Sequence, residues 1–275
     1  MKKGGLSLLV FGMVLFMASC SGLGAGSPPN PRDYTIIWDQ SSLEKVSADN
    51  SRYAGYARAR ELAKGQLGVA FEADGNIFFR IKDHGVWQDP ILVVPRQEGI
   101  GMAVPDFTVL ENGDILLGYN PRPRGNQSEK HFAIRTVRSS DNGQSWANDQ
   151  LVYKAGSSFE NGCWEPVLLQ LPNGNIQLYF ADEGVFTSSN EQRIAMVASK
   201  DGGRSWTREA KTISFRKGSR DGMPVPIILD GGKKIAMAIE DNGFGPFKPY
   251  IIHNNGMDWE KPVDGDSNNR KYAMA

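Results

Sequence analysis

Two glutamates, Glu165 and Glu240, stand at the ends of apolar runs, in GCWEPVLLQL (162–171) and KKIAMAIEDNG (233–243). A carboxylate beside a buried strand is costly unless it is paired or used. Two carboxylates across an open cavity are the equipment for breaking a glycosidic bond. One protonates the leaving oxygen; the other attacks the anomeric carbon or activates water. Different surroundings would separate their pKa values, and double displacement needs them about 5–6 Å apart. Trp164, Tyr179 and Phe180 are placed in the sequence where rings could stack on a sugar. The competing reading of each glutamate is a solvated strand end, or half of an ion pair with a nearby arginine.

Other chemistries find less support. The chain carries 31 basic and 31 acidic residues, a balance that leaves no basic excess for nucleic acid. His84, His131 and His253 fall in no metal-ligand spacing. No Gly-rich loop opens a helix, so neither a metal nor a nucleotide cofactor is expected. Cys163 has no histidine at a suitable spacing to activate it as a nucleophile.

The elements that must carry the glutamates repeat. SSDNGQSW (139–146) and SKDGGRSW (199–206) are near copies, and DHGVW (83–87) and IHNNGMDW (252–259) are weaker ones. A second motif keeps the same beat: LAKGQL (62–67), LENGDI (110–115), LPNGNI (171–176) and LDGGKKI (229–235) each read as a hairpin turn between apolar strands. HFAIRTVRS (131–139) and RIAMVAS (193–199) supply a further strand, and DQLVYK (149–154) another after the octet tryptophan. Three or four short antiparallel strands repeated every 50–60 residues or so predict an all-β fold, a propeller of four-stranded blades. At that period the chain holds four to five blades. A six-bladed ring would need more, so the C-terminus is expected to be incomplete.

In a propeller the site forms where the inner strands converge. Polar residues next to those strands are Arg58, Asp106, Arg122 and Arg124, then Asp182 and Glu183, then Arg220 and Asp221. Asp106 is expected just before its inner strand, Glu165 at the mouth of the next, and Asp221 ahead of the last.

The octets resemble the Asp-box of the sialidase-type propellers. That resemblance implies structural turns at the blade edge, with Asp141, Gly143 and Trp146 in one and Asp201, Gly203 and Trp206 in the other, away from any catalytic centre. WEPVLLQL (164–171), LYFADE (178–183) and RDGMP (220–224) are similar to the exo-1,5-α-L-arabinanase family of retaining glycoside hydrolases, over roughly residues 50–275. The family's two catalytic glutamates map onto Glu165, as nucleophile, and Glu240, as acid/base, an order that could be reversed. Arg58 and Arg220 would be pocket arginines, with Asp106, Trp164, Glu183 and Asp221 as further substrate contacts. An oligosaccharide is the implied partner. The alternatives are an exo-sialidase, which Arg58 and Glu165 also fit, and a propeller that binds carbohydrate without cutting it.

The N-terminus reads as a targeting segment. MKKGG followed by LSLLVFGMVLFMA has the form of a signal peptide over residues 1–19. Met-Ala-Ser-Cys at 17–20 resembles a bacterial lipobox that would put a lipid on Cys20. Residues 20–32 then form a tether, and 33–275 the propeller. The expected location is the bacterial cell envelope as a lipoprotein, or else secretion.

Overall fold

The computed structural model describes residues 37–47, 50–125 and 129–273. The signal segment, Cys20 and the tether lie outside them. The chain divides into two units, Met1–Lys45 and Val46–Ala275. The first is described from residue 37 and holds a 3-10 turn at Gln40–Ser42, where Asp39 accepts the Ser41 N–H.

The second unit is all β, with four antiparallel blades in a propeller arrangement. The first blade is β1 (Ala54–Glu61), β2 (Leu67–Ala73), β3 (Asn76–Asp83), β4 (Val86–Trp87) and β5 (Ile91–Val94). The second is β6 (Ile100–Val109), β7 (Ile115–Pro123), β8 (Ala133–Ser139) and β9 (Ala147–Lys154). The third is β10 (Cys163–Gln170), β11 (Ile176–Asp182), β12 (Arg193–Ser199) and β13 (Lys211–Phe215). The fourth contains β14 (Asp221–Leu229), β15 (Lys234–Asp241) and β16 (Lys248–Asn254). Of the last strands, β17 (Val263–Asp264) joins the third blade parallel to β13, and β18 (Arg270–Tyr272) completes the fourth.

The four expected hairpins join the first strand of each blade to the second. Leu110 N–H donates to Asp114 O and Gly113 N–H to Leu110 O, with Gly113 at φ 86°. Leu171 and Gly174 repeat this pattern. Leu62, Leu110 and Leu171 are buried and Leu229 is half-buried, so the first three turns are pinned from below by burial, and each turn carries a glycine that tolerates positive φ.

The two octets are turns that staple one blade to the blade before. Asp141 accepts from Ser145 N–H at 2.8 Å and from the Ser139 hydroxyl at 2.7 Å, and Asp201 accepts from Ser205 N–H and the Ser199 hydroxyl at the same distances. The Ser145 hydroxyl lowers the Asp141 carboxyl from its ordinary value, and the Ser205 hydroxyl holds that of Asp201 well below the usual carboxylate range. Trp146 meets Phe79 of the first blade edge-on, with ring centroids 5.2 Å apart. In the fourth blade Trp259 Nε1 donates to Tyr179 Oη of the third at 2.8 Å. There Asn254 donates its side-chain amide to Gly256 O and Asp258 O, the reverse polarity of the aspartates. A Cβ on Gly143, at φ 90°, would lie 2.5 Å from Phe79 Cε1. Gly143→Ala is therefore expected to cost about 2 kcal/mol or more, from positive φ and overpacking. Thermal melting checks this, and Phe79→Leu in the same chain should recover part of the loss; an unchanged midpoint in the single variant would contradict the stapling role.

The inner strands β1, β6, β10 and β14 share one irregularity. Each carries a bulge, and at each the same position is left-handed: Tyr56 (φ 49°), Val104 (φ 45°), Glu165 (φ 58°) and Met223 (φ 50°). The next residue is Ala57, Pro105, Pro166 or Pro224, always five residues before the hairpin leucine. Bulges re-aim side chains, and they admit proline into a strand that would otherwise exclude it. This moves the strand starts upstream of the sequence expectation. Asp106 and Glu165 lie inside β6 and β10, and Asp221 is the first residue of β14. Val104 is a β-branched residue in a region such residues rarely enter, and strain of this kind gathers at functional sites.

Candidate active site

The bulges bring Glu165 and Glu240 to one cavity of about 230 Å³. Glu165 comes from the bulge of β10. Its Oε2 accepts the Met223 N–H of the β14 bulge at 2.8 Å. The same oxygen would lie 3.7 Å from a Cβ on Gly222, and Gly222 is the ladder partner of Glu240 on β15. The two glutamates thus flank one bulge from neighbouring blades. Glu240 is exposed at the rim, whereas Glu165 is partly buried.

Burial pushes the Glu165 carboxyl up from the ordinary value, against the Met223 N–H and the Arg122 guanidinium, which lower it; the charge of Glu240 raises it further. Glu165 is therefore coupled to Glu240 through space.

The remaining walls are aromatic and cationic. Trp164 is buried and meets Phe159 and Phe132, each with centroids 4.8 Å away. Arg122 lies over the Trp164 ring at 5.0 Å and donates its Nε to Asn120 Oδ1 at 2.7 Å. Arg220 lines the cavity. Its Nη2 donates to Glu183 Oε1 and, at 2.9 Å, to Gln192 Oε1. Phe247 adds an exposed ring at the mouth.

Trp164, Arg220, Glu165 and Glu240 thus share one cavity, and the other expected contacts do not line it. Glu183 lies behind Arg220, buried; desolvation raises its carboxyl and Arg220 opposes the rise. The Trp164 indole also helps stabilise that carboxylate, although neither Trp164 Nε1 nor Glu183 Oε2 completes a hydrogen bond of normal geometry. Asp106 is a buried tie between three blades. It receives Arg60 Nη2 at 2.9 Å and the Leu168 N–H at 2.8 Å. Arg58 Nε stands 4.0 Å from the same Asp106 carboxylate, and Arg58 reaches Glu165 only through its field. Asp221 is fully buried in an ion cluster with Arg270, Asp241 and Ser214. Cys163 is buried, and desolvation pushes its thiol well up.

Sequence reasoning did not assign roles to Arg122, Phe159, Gln192, Met223 or Phe247. The offset of Pro224 from Leu229, the same as that of Pro166 from Leu171, was the available signal for Met223. Gln192 and Phe247 sit on connections that carry no repeat. Among the described residues no group of three or more His, Cys, Asp or Glu is placed to hold a metal, and no helix is long and apolar enough to cross a membrane.

No protein-family model matches the chain, and no curated protein does. Solved structures do. The GH93 α-L-arabinofuranosidase of Fusarium graminearum in complex with arabinobiose superposes with a TM-score of 0.68 at 20% identity, over 83% of this chain and 69% of that one. The chain shares the β-propeller fold of these structures. Within that fold the α-L-arabinanase of Penicillium chrysogenum, also with arabinobiose, gives 0.59 at 19% identity over 74% of this chain and 63% of its own. The NanB sialidase of Streptococcus pneumoniae, as its K499G mutant, gives 0.60 at 11% identity, over 85% of this chain and 53% of the sialidase.

Proposed function

We propose that this propeller is an exo-acting, retaining glycoside hydrolase for arabinan-type oligosaccharides, with Glu165 as nucleophile and Glu240 as acid/base. The observation that carries the reading is the placement of both carboxylates on one small cavity, with Glu165 Oε2 fixed by the Met223 N–H. With Oε2 held, Oε1 attacks the anomeric carbon as the glycosidic C–O bond breaks, and Glu240 gives its proton to the departing oxygen. Water then enters, Glu240 takes a proton from it, and the new hydroxyl displaces Glu165 with a second inversion. The exposed carboxylate suits the group that must exchange protons with water twice per cycle. Phe247, exposed at the mouth, offers a ring for the sugar, and Arg122 and Arg220 offer donors to its hydroxyls. A cavity of this size takes one terminal ring. The same reading includes a lipid anchor on Cys20, for which metabolic labelling with a fatty acid in a bacterial host, compared with Cys20→Ser, is the check.

The test is a screen against an aryl α-L-arabinofuranoside, arabinan and sialyl-lactose, with the product anomer followed by NMR. Release of arabinose with retained configuration is expected. Sialic acid release, or binding with no cleavage of any of the three, would overturn it.

The coupling between the glutamates gives a pH signature. On an aryl glycoside with a good leaving group, the acid limb of kcat/KM reports the ionisation of Glu165. Removing the Glu240 charge removes a contribution that raises Glu165. Glu240→Gln should therefore move the acid limb to lower pH; a limb that stays in place or rises would mean that the two groups do not interact.

A further inference from the structure

A second and larger cavity, about 860 Å³, adjoins the first. The two share Arg122, Phe159 and Trp164 as a common wall. The larger one is lined by the guanidinium side chains of Arg52, Arg96, Arg122 and Arg124, against two carboxylates, Glu72 and Asp74. Both carboxylates serve the backbone. Glu72 Oε2 accepts the Val104 N–H of the β6 bulge at 2.6 Å. Asp74 accepts the Arg52 N–H at 3.2 Å and the Tyr53 N–H at 3.1 Å. The arginines form a built surface. A Cβ on Gly75 or Gly101 would come within 3.1 or 3.2 Å of the Arg124 guanidinium, so the two glycines leave the space in which it lies. Arg52 and Arg96 are exposed at the rim.

A concave site with twice as many cations as anions selects a ligand that carries negative charge, and planar guanidinium groups match carboxylate and sulfate oxygens. We propose that this second cavity binds an acidic sugar unit, a uronate or a sulfated residue, in the same oligosaccharide whose terminal ring occupies the Glu165 cavity. The oligosaccharide crosses from one cavity to the other over Phe159, an exposed ring that lines both. The proposal rests on the oligosaccharide reading above for the occupant of the first cavity, and it narrows the substrate class from a neutral arabinan to one with acidic substituents.

The test is calorimetric and needs no turnover. Three trisaccharides of one arabinose backbone are titrated into the full chain: unsubstituted, uronate-substituted and sulfated. At least one acidic form should bind about tenfold or more tighter than the neutral one. That advantage should shrink as salt is added, and it should disappear in the Arg52→Ala, Arg96→Ala double variant. Arg96→Glu, which reverses one exposed charge, should abolish or invert it. Whichever acidic form binds tighter names the substituent. Equal affinity for all three, or a preference that survives both variants, overturns the proposal. Arabinoside hydrolysis without an acidic preference would overturn this inference alone. An acidic preference without hydrolysis would support it and overturn only the glycosidase reading.

Discussion

Glu165→Ala should lose turnover of every glycoside by about 10⁴-fold or more, because no other group on the cavity is fixed to form the covalent bond. Glu240→Ala should behave differently. It should lose about 10²–10⁴-fold on natural linkages, where the leaving oxygen needs a proton, and far less on an activated aryl glycoside that needs none. Azide then separates the roles by stereochemistry. In Glu240→Ala it should intercept the glycosyl-enzyme and give a glycosyl azide of retained configuration. In Glu165→Ala it should attack the substrate itself and give the inverted product. The opposite pairing of variants and products would exchange the two roles. Glutamine variants at both positions that keep full activity would end the paired-carboxylate mechanism.

The second large effect lies behind the site. Arg270 of β18 is fully buried between two fully buried carboxylates, donating Nη1 to Asp241 Oδ2 at 2.6 Å and to Asp221 Oδ1 at 2.8 Å. Its Nη2 also donates to Ser214 Oγ of β13 at 2.6 Å. One guanidinium therefore ties the first two strands of the fourth blade to its last, and to the third blade. Arg270→Met leaves the buried Asp221 without a cation and Asp241 with Arg216 alone, which should cost about 3–5 kcal/mol, roughly 10 °C in melting midpoint for a unit of this size. The loss should depend on pH in a defined direction. Burial already raises Asp221, and Arg270 is what opposes the rise. Without it, folding takes up a proton at Asp221, so the deficit is full at neutral pH and shrinks as pH falls towards the carboxylate range. Arg270→Lys should fall between, since a point charge cannot serve both carboxylates as the fork does. Chemical denaturation at neutral and acid pH measures this, and an Arg270→Met variant as stable as the parent at neutral pH would refute it. Asp221 is followed directly by Gly222 and Met223, so loosening this cluster should also release the N–H that holds Glu165.

The blade plan was legible in the sequence because it rests on local chemistry. A leucine, a turn and a glycine make each hairpin whatever surrounds them, and the Ser-x-Asp-x-Gly-x-Ser-Trp octets carry their hydrogen bonds within themselves. Glu165 and Glu240 were legible for a related reason: an acid at the end of an apolar strand stands out. The ion pairs were not. Asp106 and Asp221 have the same signature as Glu165, a charge beside an inner strand, and only the position of Arg60 and Arg270 in space separates a structural carboxylate from one on the cavity. The strand starts ahead of Asp106 and Glu165 and at Asp221 were not legible either, because the bulges that admit Pro105, Pro166 and Pro224 depend on a left-handed residue that no side-chain type announces. The parallel pairing of β17 with β13 spans two residues, too few to leave a pattern.

The left-handed mounts at Tyr56, Val104, Glu165 and Met223 turn the inner ring into a set of interchangeable sockets. Backbone geometry is supplied four times over, and the identity of the occupant alone decides whether a socket holds a ring, a methyl pair, an acid or a thioether. New chemistry on such a scaffold can arise by exchanging one occupant at a time, with the hairpins, staples and buried ion pairs left as they are.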